Sequence, residues 1–345
     1  MLIRSGEALA IGWSRNMLYS GFNILPRSVF WSAYLNSRSD NTDVIPSIEM
    51  NSSDLSLLAL EGVSLGDSFG QTFFVDESLA LQRIASRTLP DATWWLTDDS
   101  IMASAVYSTL DTLGTIEQSA LVARFLQLYE LDTSRGYGAT MARMLRLVAG
   151  GADWRAVSRD AFDGMGSFGN GAAMRVAPLG AYFAGDDSKI SEQAWLSAET
   201  THANPEGIAG AIAVAIACGW AASNGPSNAE SFLTHVAENT PKSVTRDNIF
   251  RASELPTSYD VRTAVTILGN GTNLSSQDTV PFSLWCAAGN LGSFTTAMWQ
   301  TVSGLGDRDT TCAIVGGIVA LAVGTEGLPS DWQQRRESLA AWLKG

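Results

Sequence analysis

The chain has 345 residues, 46% of them hydrophobic and 11 of them tryptophan, which is material for one large buried core or two ordinary ones. Its net charge of −13 argues against a nucleic-acid or anionic-membrane surface, since both need basic patches; taken alone it suits simple solubility first and a protein that gathers divalent cations second. Three cysteines, Cys218, Cys286 and Cys312, stand far apart in apolar stretches, which speaks against a disulfide framework or a zinc site and for buried thiols in a cytoplasmic setting.

Residues 1–36 are rich in aromatic side chains (Trp13, Tyr19, Phe22, Phe30, Trp31, Tyr34) with no clean period, and a polar stretch follows to Asp54. An arm and linker over residues 1–50 is therefore expected, packed on its own domain by default or offered to a partner, with one domain over 51–345. No apolar leader marks the N-terminus. From Leu55 onward the periodicity is helical. Leu58, Leu65 and Phe69 fall near a 3.6-residue spacing, and Gly62, Gly66 and Gly70 form a stripe of small residues. A second helix is expected over "DDSIMASAVYSTLDTL", and a third over "YGATMARMLRLVAGG" with a glycine stop. The run "GIAGAIAVAIACGWAA" is too short and too rich in Ala and Gly to read as a membrane span. Asn204, Pro205 and Glu206 before it read as N-cap, first position and first turn. The segments "ENTPKSVTRDN" and "GNGTNLSSQD" read as loops. Alternating strands and fixed-period repeats are absent, so the fold class is all-α: a compact, orthogonal multi-helix domain.

Two helix starts carry unusual chemistry. Thr97, Asp98 and Asp99 open one apolar helix; Asp307, Asp309 and Thr310 open another. One start needs one cap, and capping alone would explain either motif by itself. Two starts with three oxygen-bearing side chains each exceed that need. Facing each other, four carboxylates would repel unless cations intervened, and two divalent ions would balance them. Hard oxygen ligands favour magnesium, manganese or calcium, and His202 and His235 are too few for a nitrogen-rich site. Two weaker features resemble ligand cradles. "GSFGNGAAMR" places three glycines before a helix, where backbone N–H groups can face an anion, and His202 precedes another helix start.

Together, "GDSFG" (66–70), "TDDS" (97–100), "SFGNGAAMRVAPLG" (167–180), "THANPEG" (201–207) and "GDRDTTCAIVGG" (306–317) resemble, in this order, the ADP-ribosylglycohydrolase family. The resemblance implies an all-α domain with paired magnesium or manganese ions in a cleft that holds ADP-ribose. It implies metal ligation by Thr97, Asp98, Asp99, Asp307, Asp309 and Thr310. Phe168, Gly169, Asn170, Gly171, Ala172, Ala173 and Met174 would hold the diphosphate and adenosine side, with His202 nearby. The implied reaction is hydrolysis of the bond joining ADP-ribose to a modified protein side chain, with Asp98, Asp99 and Asp309 serving catalysis.

Two departures shape the expectation. Many members of that family carry a glutamate shortly after the "GD..G" turn, whereas this chain has Gln71, which can orient a water but cannot act as a base near neutral pH. Some members are immunity proteins whose N-terminal extension plugs a toxin, and residues 1–50 suit that role. The expectation is a metal-dependent ADP-ribosyl hydrolase with no nucleic-acid or membrane partner. The alternatives are a catalytically weak relative that binds ADP-ribose or blocks a toxin through its arm, and a purely structural protein on the same fold.

Overall fold

The computed structural model describes residues 50–226 and 229–344. The arm expected over residues 1–50 lies, but for Met50, outside the described residues. Among the described residues seventeen α-helices follow in chain order. The first six are α1 (Ser52–Gln71), α2 (Glu77–Ser86), α3 (Asp98–Leu113), α4 (Gln118–Leu131), α5 (Ala139–Ala149) and α6 (Trp154–Asp160). Next come α7 (Ala177–Tyr182), α8 (Asp187–Glu199), α9 (Pro205–Asn224), α10 (Ala229–Glu238), α11 (Val244–Glu254) and α12 (Val261–Leu268). The last are α13 (Ser276–Ala288), α14 (Phe294–Ser303), α15 (Arg308–Val323), α16 (Ser330–Arg335) and α17 (Ala340–Leu343). Among the described residues no strand forms; two isolated bridges, Trp94 with Arg336 and Gly169 with Ser275, are the extent of β pairing. The all-α expectation holds.

The glycine stripe of α1 decides the central packing. A Cβ at Gly62 would strike the carbonyl oxygen of Gly316, one at Gly66 that of Cys312, and one at Gly70 that of Arg308. Contacts that rise along α1 as they fall along α15 make the pair antiparallel, with backbones in direct contact. The arrangement sets the C-terminal end of α1 beside the N-terminal end of α15. Around this pair a single large core includes Phe69, Trp94, Phe125, Trp285 and Trp299. Phe69 stacks on Trp332 at 4.5 Å and meets Trp299 edge-on at 5.1 Å.

Helix α9 carries its expected cap: Asn204 accepts from the Glu206 N–H, with Pro205 at the first position. At 20 residues α9 outruns the apolar run seen in sequence, and by length and hydropathy alone it would cross a membrane. Instead 78% of its apolar window is buried within the domain. The two loop readings need trimming. α11 begins at Val244, inside the first, because the Ser243 hydroxyl accepts from the Arg246 N–H and starts a helix there. α13 begins at Ser276, inside the second. Polar composition marked both segments as loops, and it cannot tell a helix start from a loop, since both favour Ser, Thr and Asp. All three cysteines are buried and free.

Candidate metal centre

Three helix ends converge on one acidic cluster. α3 begins with Asp98 and Asp99, α15 begins after Asp307 with Asp309 in its first turn, and α1 brings Asp67 one turn before its C-terminus. Carboxylate oxygens of Asp67, Asp99 and Asp309 all lie within 4.8 Å of one another. None of the ion pairs among the described residues involves these acids. The adjacent Arg308 turns away, donating to the Phe73 carbonyl and lying over the Phe74 ring.

Asp67 is fully buried and accepts four hydrogen bonds: from the Thr97 N–H (2.9 Å) and hydroxyl (2.7 Å), and from the Ser100 N–H (3.2 Å) and hydroxyl. Burial still pushes its carboxyl up to about 6. The Thr97 oxygen also lies 3.0 Å from Asp99 Oδ2. A hydroxyl has one proton and cannot donate to both carboxylates. The hydroxyl proton can fully serve one of the two carboxylates, which leaves the other to be neutralised by a proton of its own or by a cation. Asp99 Oδ1 is buried with no partner, and burial followed by the charge of Asp309 raises this carboxyl well above the ordinary range.

The remaining acids are half-buried. Burial and then Asp67 push Asp98 up to about 8. Burial and then Asp309 push Asp307 up to about 8, and burial and then Asp67 push Asp309 up to about 6. Asp307 occupies the N-cap position of α15, yet its side chain makes no capping bond. It accepts instead from the Asn170 amide at 2.6 Å and is hydrogen-bonded by Thr310. Capping thus does not account for Asp307, whereas Thr97 does cap α3 by accepting from the Asp99 N–H.

The six residues expected at the centre come together, and Asp67 joins them as a fifth acid. The motif "GDSFG" does not by itself mark Asp67, the acid within it, as a member of the cluster. The available signal was a carboxylate with no Lys or Arg within a turn of it, in a glycine-striped apolar helix where Asp is almost never buried unpaired. The donor set fits a hard divalent cation: clustered carboxylate oxygens, no balancing base, and one orphaned oxygen. The positive N-terminal ends of α3 and α15 offset part of the charge, and a divalent ion would offset the rest. Gln71 is exposed at the end of α1, four residues after Asp67 and so on the same face.

The expected cradle borders this cluster. It is a short 3₁₀ turn, Asn170–Ala172, pinned to the start of α13: the Ser276 N–H donates to the Phe168 carbonyl (3.0 Å) and the Ser276 hydroxyl to that of Gly169 (3.0 Å). Asn170 reaches across to Asp307 and to Thr279, so cradle and acidic cluster share a residue. Several backbone donors expected to face a ligand are already engaged. Gly169 donates to the Ser167 hydroxyl and Asn170 to the Leu274 carbonyl, while Ala173 and Met174 fold back onto the Asn170 carbonyl. Gly171 and Ala172 keep N–H groups without an acceptor among the described residues. The Ala172, Ala173 and Met174 side chains are buried in the core. His202 is buried against the turn, where a Cβ at Gly171 would come within 3.2 Å of its Nε2.

The ADP-ribosylglycohydrolase family signature matches residues 52–345. The chain belongs to the ADP-ribosylglycohydrolase family. Among its relatives, the mouse ADP-ribosylhydrolase ARH3 is 28% identical over 323 residues, spanning 81% of this chain and 86% of the mouse protein. The bovine ADP-ribosylhydrolase ARH3 is 29% identical over 81% of this chain and 87% of its own length. The human ADP-ribosylhydrolase ARH3 is 28% identical over 81% and 88%. A solved structure, an ADP-ribosylglycohydrolase-related protein complex, superposes with a TM-score of 0.62 at 22% identity, over 85% of this chain and 95% of that one, and shares the fold.

Proposed function

We propose that this protein is a metal-dependent hydrolase that removes ADP-ribose from modified protein side chains. The observation that carries the reading is the Asp67–Asp99–Asp309 cluster, three carboxylates within 4.8 Å with no base among them, in a chain of this family. Asp67, Asp98, Asp99, Asp307 and Asp309, with Thr97 and Thr310, would hold one or two divalent cations, magnesium first and manganese second. When bound, such cations supply Lewis-acid polarisation of substrate oxygens and a fixed place for a water.

The chain's own residues do the rest. The Gly171 and Ala172 N–H groups receive an anionic diphosphate, and the exposed Phe162, 5.3 Å from Phe168, borders the entry to the turn. Asn170 holds Asp307 in register with that turn. Water adds to the anomeric carbon of the distal ribose, the bond to the acceptor side chain breaks, and the acceptor leaves with a proton. Carboxylates at the cluster stabilise positive charge developing on the ribose and take the water's proton. Gln71, a neutral amide, orients water without accepting a proton. Both arginine-linked and serine-linked substrates are candidates. The buried thiols suit a cytoplasmic setting.

Release of free ADP-ribose from arginine- and serine-ADP-ribosylated protein tests this reading, with magnesium, with chelator, and with Asp309→Asn. Release that chelator abolishes and that Asp309→Asn lowers by roughly a hundredfold or more is expected. No release from either linkage, with ADP-ribose still bound, would favour the binding-protein alternative. Toxin blocking by residues 1–50 belongs to the same proposal, and undiminished protection of cells by a chain lacking them would remove it.

A further inference from the structure

Arg175 is fully buried, and no carboxylate pairs with it among the described residues. Its guanidinium lies over the Phe125 ring, 4.5 Å from the centroid. One nitrogen, Nη2, donates to the Ser197 carbonyl (3.0 Å) and the Thr201 hydroxyl oxygen (2.8 Å), with Thr200 at 3.4 Å. Nε and Nη1 have no partner. A buried cation with two unmet donors is costly, and an apolar side chain would fill the same space at less expense. Something other than packing accounts for a guanidinium there.

The hydrogen-bond chain that starts at Arg175 ends at the cradle. Arginine only donates, so Thr201 Oγ1 accepts from Nη2. The Thr201 hydroxyl lies 2.6 Å from His202 Nδ1. If Nδ1 carried the proton, the Thr201 oxygen would accept twice, and its own proton would have no acceptor among the described residues. The remaining arrangement has Thr201 donating to Nδ1, which leaves the ring proton on Nε2. Burial, and then the charge of Arg175, hold the imidazole pKa down to about 3, so the ring is neutral. Its Nε2 lies against the turn: a Cβ built on Gly171 would come within 3.2 Å of it, and one on Gly169 within 3.4 Å.

We propose that Arg175 and Thr201 are positioning residues that lock His202 in its Nε2–H tautomer, so that this N–H donates to an oxygen of the ligand seated on the Gly169–Gly171 turn. This rests on the reading of that turn as part of the ADP-ribose site. Arg175 fixes the direction of the Thr201 hydroxyl, the hydroxyl fixes the tautomer, and the tautomer makes His202 a donor rather than an acceptor toward a ligand rich in phosphate and hydroxyl oxygens.

The test uses the full chain labelled with ¹⁵N-histidine. The chain has two histidines, so His235→Gln assigns the spectrum. His202 is expected as a neutral ring with the proton on Nε2, unchanged from about pH 5 to about pH 8. Thr201→Val keeps the shape and removes the hydroxyl; it should mix the tautomers and weaken ADP-ribose binding roughly tenfold, the worth of one hydrogen bond to a charged group. Thr201→Ser should restore both, and Mg²⁺ affinity should stay constant throughout. Arg175→Met should mix the tautomers as Thr201→Val does. A wild-type ring protonated on Nδ1, or a Thr201→Val protein with unchanged tautomer and affinity, would overturn the proposal. Should the wild type bind no ADP-ribose, the functional reading falls, while the spectrum still decides whether Arg175 and Thr201 set the tautomer.

Discussion

Asp99 Oδ1 is buried with no hydrogen-bond partner, and Asp309 and Asp67 face the same carboxyl. Without a cation, that oxygen has no compensating partner, while like charge and desolvation bear on the carboxyl. Asp99→Asn removes the repulsion while keeping the shape and an amide that can bond Thr97. We expect the chelated variant to melt higher than the chelated parent, by about 1–3 kcal/mol in stability. Its Mg²⁺ affinity should fall by more than roughly tenfold. Thermal melts with chelator and calorimetric titration with Mg²⁺ check both; a variant that melts lower and binds Mg²⁺ as before would show that Asp99 is a structural acceptor. At this scale Thr97, Asp98, Asp99, Asp307, Asp309 and Thr310 were legible, because three oxygen side chains at each of two apolar helix starts exceed what capping needs. Asp67 was not, because one acid within a helix looks like an exposed position until its burial is known.

The elements act through close approach. Gly62, Gly66 and Gly70 let the α1 backbone touch that of α15, which is what carries Asp67 to Asp309. A methyl group at Gly66 would meet the Cys312 carbonyl, and backbone cannot rotate aside as a flexible side chain does. Gly66→Ala should therefore cost about 3 kcal/mol or more, the upper end for overpacking. It should also weaken Mg²⁺ binding even though no ligand is changed. Denaturant melts of Gly66→Ala beside a control, Gly138→Ala, where nothing lies within 4 Å of the new methyl, would check this. Equal stability of the two variants would mean the stripe does not set the helix spacing. The glycine stripe was visible as a pattern; its partner helix was not, since a small-residue stripe says that something comes close without saying what.

Across the whole molecule, the acidic cluster makes stability depend on pH. Asp98 and Asp307 are pushed up to about 8, and Asp67 and Asp309 to about 6, from an ordinary 3.8. Between those values and the unfolded one, the folded, chelated protein binds more protons than the unfolded chain. Stability therefore falls as pH rises from about 4 to about 8. Divalent cations compete with those protons, so stabilisation by Mg²⁺ should grow across the same window. Melting curves at about pH 5, 6.5 and 8, with chelator and with excess Mg²⁺, test both slopes. A chelated protein whose melting temperature climbs with pH would mean that the cluster is not held in this geometry without metal.

The sequence by itself determined the helical class, the start of α9 at its Asn204–Pro205–Glu206 cap, the two acidic helix starts and the family, because periodicity, capping chemistry and short motifs are local and survive without coordinates. Only the tertiary structure decided that α1 and α15 run antiparallel in backbone contact, that Asp67 completes the acidic cluster, that Asn170 ties the glycine-rich turn to Asp307, and that buried Arg175 reaches His202 through Thr201. Each of these joins residues distant in the chain or turns on burial. Burial is what converts an ordinary carboxylate, guanidinium or imidazole into a group whose proton and partners matter.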